Sequence, residues 1–185
     1  LMEEAVPAGE GAMSAVLAMK PETVEEILGD LGEVWIANDN CPGQLVISGR
    51  TEAVERAEEA LRRAGAKRVI RLKVSGPFHS PLLKKAGEAL GTVLEPIPAA
   101  RPEIPYVANV TGAYVREKEP VKELLIRQVS GQVRWRQSIL MMLEDGVDTF
   151  VEIGPGKTLS AFVRKISREA VVRNLETWED LLQWT

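Results

Sequence analysis

The chain has a single histidine, His79, in the segment Val74-Ser75-Gly76-Pro77-Phe78-His79-Ser80-Pro81. Imidazole titrates nearer to neutral pH than any other side chain, so His79 is the first candidate for a proton-transfer residue. The surrounding glycine and prolines predict a turn between a strand and a helix. Catalytic groups often lie at such strand ends, yet an isolated histidine on a surface turn often has no chemical role. The residue types alone leave both interpretations open.

A catalytic base needs a nucleophile, and serine nucleophiles of α/β-hydrolase-like sites lie in a Gly-x-Ser-x-Gly turn. Cys41 has no basic residue close in sequence that would lower the pKa of its thiol, which favours a structural role in a half-buried turn. Ser80 adjoins His79, but adjacent side chains seldom point at each other. None of the eight serines has the required glycines: Ser14, Ser48, Ser75, Ser80, Ser130, Ser138, Ser160 and Ser167.

The segment Gly154-Pro155-Gly156-Lys157-Thr158 resembles the end of a phosphate-binding P-loop. The complete pattern requires glycine at the position of Val151, and Pro155 would stiffen the backbone. A glycine-rich turn between a strand and a helix is therefore the favoured interpretation. The single histidine and the single cysteine lie far apart, so we predict neither a metal site nor a cofactor.

Composition narrows the class of protein further. The chain has 185 residues, of which 45% are hydrophobic and 27% charged, as in soluble globular proteins. A net charge of −4 and only 5% aromatic residues argue against nucleic-acid binding. No apolar run approaches the roughly 20 residues that span a bilayer, and no secretory signal is recognisable. With one cysteine, these features predict a cytoplasmic protein without a membrane partner.

Some basic residues could form a positively charged surface patch although the net charge of the chain is negative. Lys67, Arg71 and Lys73 share a strand face, and Arg62, Arg63, Lys84 and Lys85 could extend it into a patch that steers an acidic partner. A scattered solvated surface explains the same residues equally well.

Residues 11–74 show the periodicities of a small lobe that should position some of these groups. Helices begin near Lys20 and at Thr51, and Asn38–Gly43 is dense in turn residues. Strands are predicted at 11–19, 34–37, 45–48 and 68–74. The order strand, helix, strand, strand, helix, strand is that of a ferredoxin-like (βαββαβ) lobe.

Residues 1–10 and 75–185 are assigned to a larger α/β core. Its strands are predicted at 105–109, 148–153 and 170–175, and its helices at 82–94, 120–129, 135–143, 158–166 and 178–184. Alternating strands and helices favour a mostly parallel sheet. Three strands make a thin sheet, so further strands are expected from residues outside this chain.

Several segments, taken in order, resemble motifs of the malonyl-CoA:acyl-carrier-protein transacylase family. They are Leu1–Pro7 with Gly11-Ala12-Met13, Asn38–Gln44, Val74–Pro81, Arg127-Gln128 with Val133-Arg134-Trp135, and Glu152–Lys157. The resemblance covers nearly the whole chain. It implies the C-terminal part of an α/β-hydrolase-like core with an inserted ferredoxin-like lobe, and transfer of malonyl from malonyl-CoA to acyl carrier protein through a serine ester.

The resemblance also implies roles for individual residues. His79 corresponds to the residue that acts as general acid and base. Family members orient this histidine with backbone carbonyls, and Gln128 corresponds to the glutamine at that place. Met2 corresponds to a methionine of the acyl pocket, and Asn38 and Asn40 to asparagines near the cleft. Phe78 corresponds to the position where, in related polyketide acyltransferases, phenylalanine accompanies malonyl and a smaller residue accompanies methylmalonyl.

Three family motifs have no counterpart in the sequence: the glycine-glutamine oxyanion segment, the serine turn and the arginine that pairs with the malonyl carboxylate. We therefore expect a fragment that lacks the N-terminal part and is inactive alone. Two alternatives remain, an acyltransferase domain of a polyketide synthase and a non-catalytic lobe that binds a carrier protein.

Overall fold

The computed structural model describes residues 6–7, 9–74, 76–117 and 121–184. The first half of the chain follows the order β1 (Gly11–Leu17), α1 (Pro21–Gly29), β2 (Val34–Cys41), β3 (Gln44–Arg50), α2 (Thr51–Arg63) and β4 (Arg68–Arg71). The second half contains a 3-10 turn (Pro81–Leu83), α3 (Lys84–Leu94), β5 (Tyr106–Ala108), β6 (Ala113–Val115), α4 (Val121–Ser130), α5 (Trp135–Glu144), β7 (Thr149–Ile153), α6 (Thr158–Ile166), β8 (Val171–Leu175) and α7 (Trp178–Leu182).

The first four strands form one antiparallel sheet in the order β2-β3-β1-β4. The main core lies between this sheet and helices α1 and α2, where Val16, Val24, Ile47, Val54 and Leu61 are fully buried. Period-two alternation sends neighbouring strand residues to the opposite face. That second face carries Met13, Ala37 and Val46. The predicted order of elements is present, while the division of the chain into two domains stays a prediction.

The hairpin between β2 and β3 differs from its prediction. Asn38–Gly43 was expected to be a turn, but β2 continues to Cys41 and only Pro42 and Gly43 form the turn. Pro42 restricts the first central position and Gly43, with φ +72°, occupies the second, which suits a tight turn. Asparagine and aspartate are rare in strands, yet tertiary contacts override that preference here.

The second half of the chain contains two smaller sheets. β5 and β6 form an antiparallel hairpin, and β6 was not predicted because three residues are too few to show a periodicity. β7 and β8 are parallel, and α6 connects them. Apolar side chains on these two strands are exposed, with Ile153 at 78% and Val171 at 48%. The expectation of a mostly parallel layer therefore holds for β7 and β8 but not for β5 and β6.

A carboxylate on α2 connects the helix layer to the four-stranded sheet. Glu58 is only 8% exposed and accepts hydrogen bonds from Ser14 (2.5 Å), Arg71 (2.7 Å) and Arg62 (3.3 Å). Burial by itself would raise the pKa of Glu58, but the hydrogen bonds from Arg71 and Ser14 and the charge of Arg71 outweigh it. The pKa therefore lies below the ordinary value for glutamate.

Substitution Glu58→Gln is expected to lower the free energy of unfolding near pH 7 by about 1.5–3 kcal/mol, because charge-assisted hydrogen bonds are lost. A carboxyl whose pKa is lower in the folded state stabilises the fold above the pKa of the unfolded state, and this contribution disappears as pH falls through the folded-state pKa. Urea denaturation of parent and variant should therefore converge in acid.

The adjacent exposed pair provides the matched control for this effect. Glu59 accepts a hydrogen bond from Arg63 at 3.4 Å, one helical turn away, and both side chains are exposed. Glu59→Gln should change stability by less than about 0.5 kcal/mol. Equal effects of the two substitutions, or a Glu58→Gln effect that persists unchanged in acid, would contradict the buried network.

Candidate functional site

His79 lies on the turn between β4 and the 3-10 turn, as predicted. Its backbone is left-handed, with φ +57°, a conformation that non-glycine residues rarely adopt unless the surroundings hold it. Pro77 is buried beneath the turn, and the buried Ser80 hydroxyl donates a hydrogen bond to the Pro77 carbonyl at 2.6 Å. The Ser80 hydroxyl is thereby committed to a bond within the turn, which leaves His79 as the residue of this turn that can transfer a proton.

The imidazole of His79 is oriented by the backbone of α4. Its Nδ1 lies 3.1 Å from the carbonyl oxygen of Gln128. A carbonyl oxygen only accepts hydrogen bonds, so this contact requires a proton on Nδ1, and in the neutral imidazole the lone pair is then on Nε2. The Gln128 side chain donates to the Gly131 carbonyl at 3.0 Å and closes the turn after α4. The arrangement leaves His79 with one nitrogen that can accept a proton.

His79 lines a cleft of about 740 Å³ between the second face of the four-stranded sheet and the helices α5 and α6. Asn38, Asn40 and Phe78 line the same cleft. The rest of the wall is largely apolar and includes Met13, Val46, Leu72, Val74, Leu159 and Phe162. Four of the predicted site residues are thus brought together, Gln128 contacts His79 directly, and Met2 lies outside the described residues.

Three polar residues of the cleft were not predicted as site residues, namely Asn109, Trp135 and Thr158. Asn109 follows β5, and its carbonyl accepts a hydrogen bond from the Arg134 backbone N–H at 2.8 Å. Trp135 begins α5 and Thr158 begins α6, and all three residues line the cleft. A polar residue directly after a strand was the available signal for Asn109. Nothing in the spacing of Trp135 separates it from an ordinary core residue.

The α6 wall of the cleft is fixed by Glu152, at the end of β7. Its carboxylate accepts hydrogen bonds from the backbone N–H groups of Leu159 (3.0 Å) and Ser160 (2.7 Å) and from the side chain of Asn174 (3.0 Å). Burial would raise the pKa of Glu152, but the hydrogen bonds, that from Ser160 first among them, lower it. A carboxylate at the start of a helix is also favoured by the helix dipole.

The glycine-rich segment before α6 behaves as a structural turn. The backbone N–H of Gly156 donates to the carboxylate of Glu176 at 3.0 Å, so a protein side chain already occupies this anion-accepting group. The P-loop alternative therefore gains no support from the geometry.

The other candidates from the sequence are also placed. Cys41 is 1% exposed within β2 rather than half-buried in a turn, and burial, ahead of the charges around it, raises the pKa of its thiol. A raised pKa disfavours the nucleophilic thiolate. The basic patch is partly neutralised, since Arg62 and Arg71 pair with Glu58 and Arg63 pairs with Glu59.

Two kinds of feature are absent from the described residues. No group of three or more histidine, cysteine, aspartate or glutamate side chains among them is arranged to hold a metal ion. No helix in the described part of the chain has both the length and the apolar character needed to cross a membrane.

Comparison with known proteins gives consistent matches. The sequence model of the acyl transferase domain family matches residues 1–179. The malonyl CoA-acyl carrier protein transacylase of Bacillus subtilis (strain 168) is 47% identical over 171 residues, which make up 90% of this chain and 54% of the relative.

Solved structures agree with the sequence matches. An acyl carrier protein S-malonyltransferase from Vibrio cholerae matches with a TM-score of 0.96 and 35% identity, over 100% of this chain and 61% of the other. A malonyl-transacylase in complex with its type II PKS acyl-carrier protein matches with a TM-score of 0.94 and 36% identity, over 98% and 60%. The predicted α/β fold class is thereby confirmed. The chain spans about half to three fifths of the length of these proteins.

Proposed function

The chain belongs to the acyl transferase domain family, and we propose that it is part of an enzyme that transfers malonyl from malonyl-CoA to the phosphopantetheine thiol of acyl carrier protein. The observation that carries this proposal is the 3.1 Å contact between His79 Nδ1 and the Gln128 carbonyl, at the wall of a cleft large enough for a substrate arm. The relatives named above as malonyl transacylases support the choice of acyl group and carrier.

In the proposed mechanism, His79 Nε2 takes the proton of a serine hydroxyl as the serine oxygen attacks the thioester carbonyl of malonyl-CoA. The carbon–sulfur bond breaks, and the CoA thiolate receives that proton from His79. In the second half, His79 takes the proton of the carrier thiol, whose sulfur attacks the serine ester. The ester bond breaks, the serine regains a proton from His79, and the malonyl thioester of the carrier leaves.

The Gln128 carbonyl suits this cycle because it fixes one tautomer of His79 through the whole reaction. When Nε2 is protonated, the carbonyl dipole stabilises the imidazolium, as a carboxylate does more strongly in a Ser-His-Asp triad. We propose that the serine, the oxyanion donors and the arginine for the malonyl carboxylate belong to the part of the relatives that this chain does not span. The chain alone should then lack transferase activity.

Acyl-group selection is proposed to involve the cleft wall. The Phe78 ring lines the cleft next to His79, where it would occupy the space that an α-methyl group needs. Exclusion of one methyl group is worth about 1–3 kcal/mol, which corresponds to a moderate preference for malonyl. Asn38 and Asn40 offer amide hydrogen bonds to the substrate arm, and Met2 is assigned to the acyl pocket by resemblance alone.

The remaining properties follow from this chemistry. Malonyl-CoA is already an activated thioester, and the carrier supplies the thiol that accepts the malonyl group. We therefore propose that no further cofactor is needed. We propose that the enzyme acts in fatty-acid synthesis and is located in the cytoplasm. We propose neither a nucleic-acid partner nor a membrane partner. Supply of malonyl to a polyketide carrier is the second candidate, favoured by the structural match to a malonyl-transacylase bound to a type II PKS carrier.

Radiolabelled malonyl-CoA tests the proposal with the complete enzyme from the source gene. Label should first appear as a protein-bound serine ester and then pass to the phosphopantetheinylated carrier. The kcat/KM for methylmalonyl-CoA should be lower than that for malonyl-CoA by about tenfold or more. The 185-residue chain alone provides the control and should acquire no label. Absence of both a Gly-x-Ser-x-Gly segment upstream and an ester on the complete protein would refute the assignment.

A further inference from the structure

A buried carboxylate lies in the strand that carries the two cleft asparagines. Asp39 stands between Asn38 and Asn40 in β2 and is 2% exposed. Its neighbours Asn38 and Asn40 line the cleft, whereas Asp39 does not. A buried charge persists only where partners compensate for lost hydration. Its partners therefore indicate what this position does.

Among the residues that the structure describes, the side-chain partners of Asp39 come from the first turn of α5. Arg136 Nε donates to both Asp39 oxygens, at 3.0 and 2.9 Å, and Nη2 donates to Oδ2 at 2.7 Å. The Gln137 side chain donates to Oδ2 at 2.7 Å. Planar forked contacts of this kind fix direction as well as distance. The pair joins residues 97 positions apart in sequence, so it is a tertiary connection.

Backbone contacts reinforce the same connection. The Asp39 N–H donates to the Val133 carbonyl at 2.9 Å, and the Val133 N–H donates to the Ala37 carbonyl at 2.8 Å. The register of β2 against β3 shifts between Ile36 and Asn38 and again between Asp39 and Cys41. At each shift one residue of β2 has no opposite residue in β3, namely Ala37 at the first shift and Asn40 at the second. Such bulges redirect side chains near functional sites. Asp39 is thus held between two irregularities that turn its neighbours toward the cleft.

The two connected segments adjoin each other along the wall of one cleft. β2 contributes the Asn38 and Asn40 amides, and the segment before and at the start of α5 contributes Val133 and Trp135. His79 is held separately, by the Gln128 carbonyl. Loss of the Asp39 network can therefore shift the asparagines relative to the start of α5 without removing the contact that orients the base.

We propose that the Asp39–Arg136 ion pair, together with Gln137, is a positioning device that holds the two asparagine amides against the α5 wall and so sets the affinity for the pantetheine arm common to CoA and the carrier. This inference rests on the proposed function. The amide groups of a pantetheine arm are complementary to asparagine side chains, and the apolar remainder of the cleft suits its methyl and methylene groups. The network orients the binding wall and takes no part in proton transfer.

Asp39→Asn in the complete enzyme keeps the shape of the side chain and removes the charge. The expected result is a KM about tenfold higher for both malonyl-CoA and the carrier, with kcat per active site within about twofold of the parent. Arg136→Lys keeps the charge and removes the fork, and should act in the same direction. Calorimetry should show that CoA itself binds about tenfold more weakly to both variants.

The exposed pair between Arg116 and Asp145 supplies matched controls. Arg116 Nη2 lies 3.9 Å from Asp145 Oδ2, and both side chains are 57% exposed. Asp145→Asn and Arg116→Lys repeat the two chemical changes away from the cleft and should leave KM and CoA affinity at the parent values.

Titration of the serine ester gives the concentration of active sites, so kcat is expressed per active site and partial misfolding cannot imitate a change in kcat. Should Asp39→Asn fail to fold, Arg136→Lys decides the question. Unchanged KM and CoA affinity in a folded variant, with only the number of active sites reduced, would overturn the inference and leave the proposed function intact. A parent enzyme that neither forms the ester nor binds CoA would overturn the proposed function, and this inference with it.

Discussion

Alanine at position 79 is expected to lower the rate of ester formation from malonyl-CoA by about 10⁴-fold or more in the complete enzyme. His79 is the sole histidine of the chain, and its Nδ1 is committed to the Gln128 carbonyl at 3.1 Å. Without the ring, no group among the described cleft-lining residues can take the serine proton, because the other polar side chains there are asparagines, Thr158 and Trp135. Rapid quenching with labelled malonyl-CoA measures the effect.

Two further measurements distinguish loss of a base from loss of structure. Added imidazole should restore part of the activity of His79→Ala, since the substitution leaves space at the cleft wall. Gln128→Ala keeps the backbone carbonyl that orients His79 and removes the bond to Gly131, so its loss should be far smaller than that of His79→Ala. Near-normal ester formation by His79→Ala would refute the role of His79 as the base.

The turn that carries His79 could be predicted from the sequence, whereas the hydrogen-bond partner of its imidazole could not. Glycine and proline around His79 mark a turn through local backbone preferences, which neighbouring residues determine. The Gln128 carbonyl is a backbone atom that every residue type supplies, so only family resemblance indicated it. The same limit applies to the Asp39–Arg136 pair, which joins residues 97 positions apart. Long-range contacts of this kind leave no periodic trace in the chain.

The strands also differ in whether local sequence or tertiary contacts determine their structure. β1 and β3 have apolar residues that face a helix layer, and their approximate positions were predicted. The end of β2 was predicted as a turn because Asn38, Asp39 and Asn40 disfavour strands. Pairing with β3 and with Val133 keeps these residues extended. The cleft therefore depends on a segment whose local preference opposes its structure, as functional segments often do.

Gly11, the first residue of β1, is a second position where a small change should have a large effect. A Cβ atom at this position would overlap the ring of Pro77 and lie 2.8 Å from its backbone nitrogen. Pro77 is buried and lies two residues before His79, so it has little room to move. The close approach of β1 to the His79 turn thus requires glycine for its lack of a side chain.

Gly11→Ala is accordingly expected to push the turn away from β1 and to lengthen the contact between His79 and the Gln128 carbonyl. Overpacking of this kind costs about 1–3 kcal/mol of stability, and displacement of a catalytic group by about 1 Å lowers rates by about 100-fold. Ester formation should be measured at a temperature where urea denaturation shows the variant to be folded. Folded protein with a rate about 100-fold below the parent separates displacement of His79 from simple unfolding.

Gly29 provides the control, since it ends α1 and a Cβ atom there would meet nothing within 4 Å. Gly29→Ala should leave the rate of ester formation unchanged and stabilise the helix by up to about 1 kcal/mol. If Gly11→Ala instead kept the parental rate, the turn would have to accommodate a side chain without moving His79. The packing of Gly11 against Pro77 would then have no part in positioning the base, and the Gln128 carbonyl alone would account for its orientation.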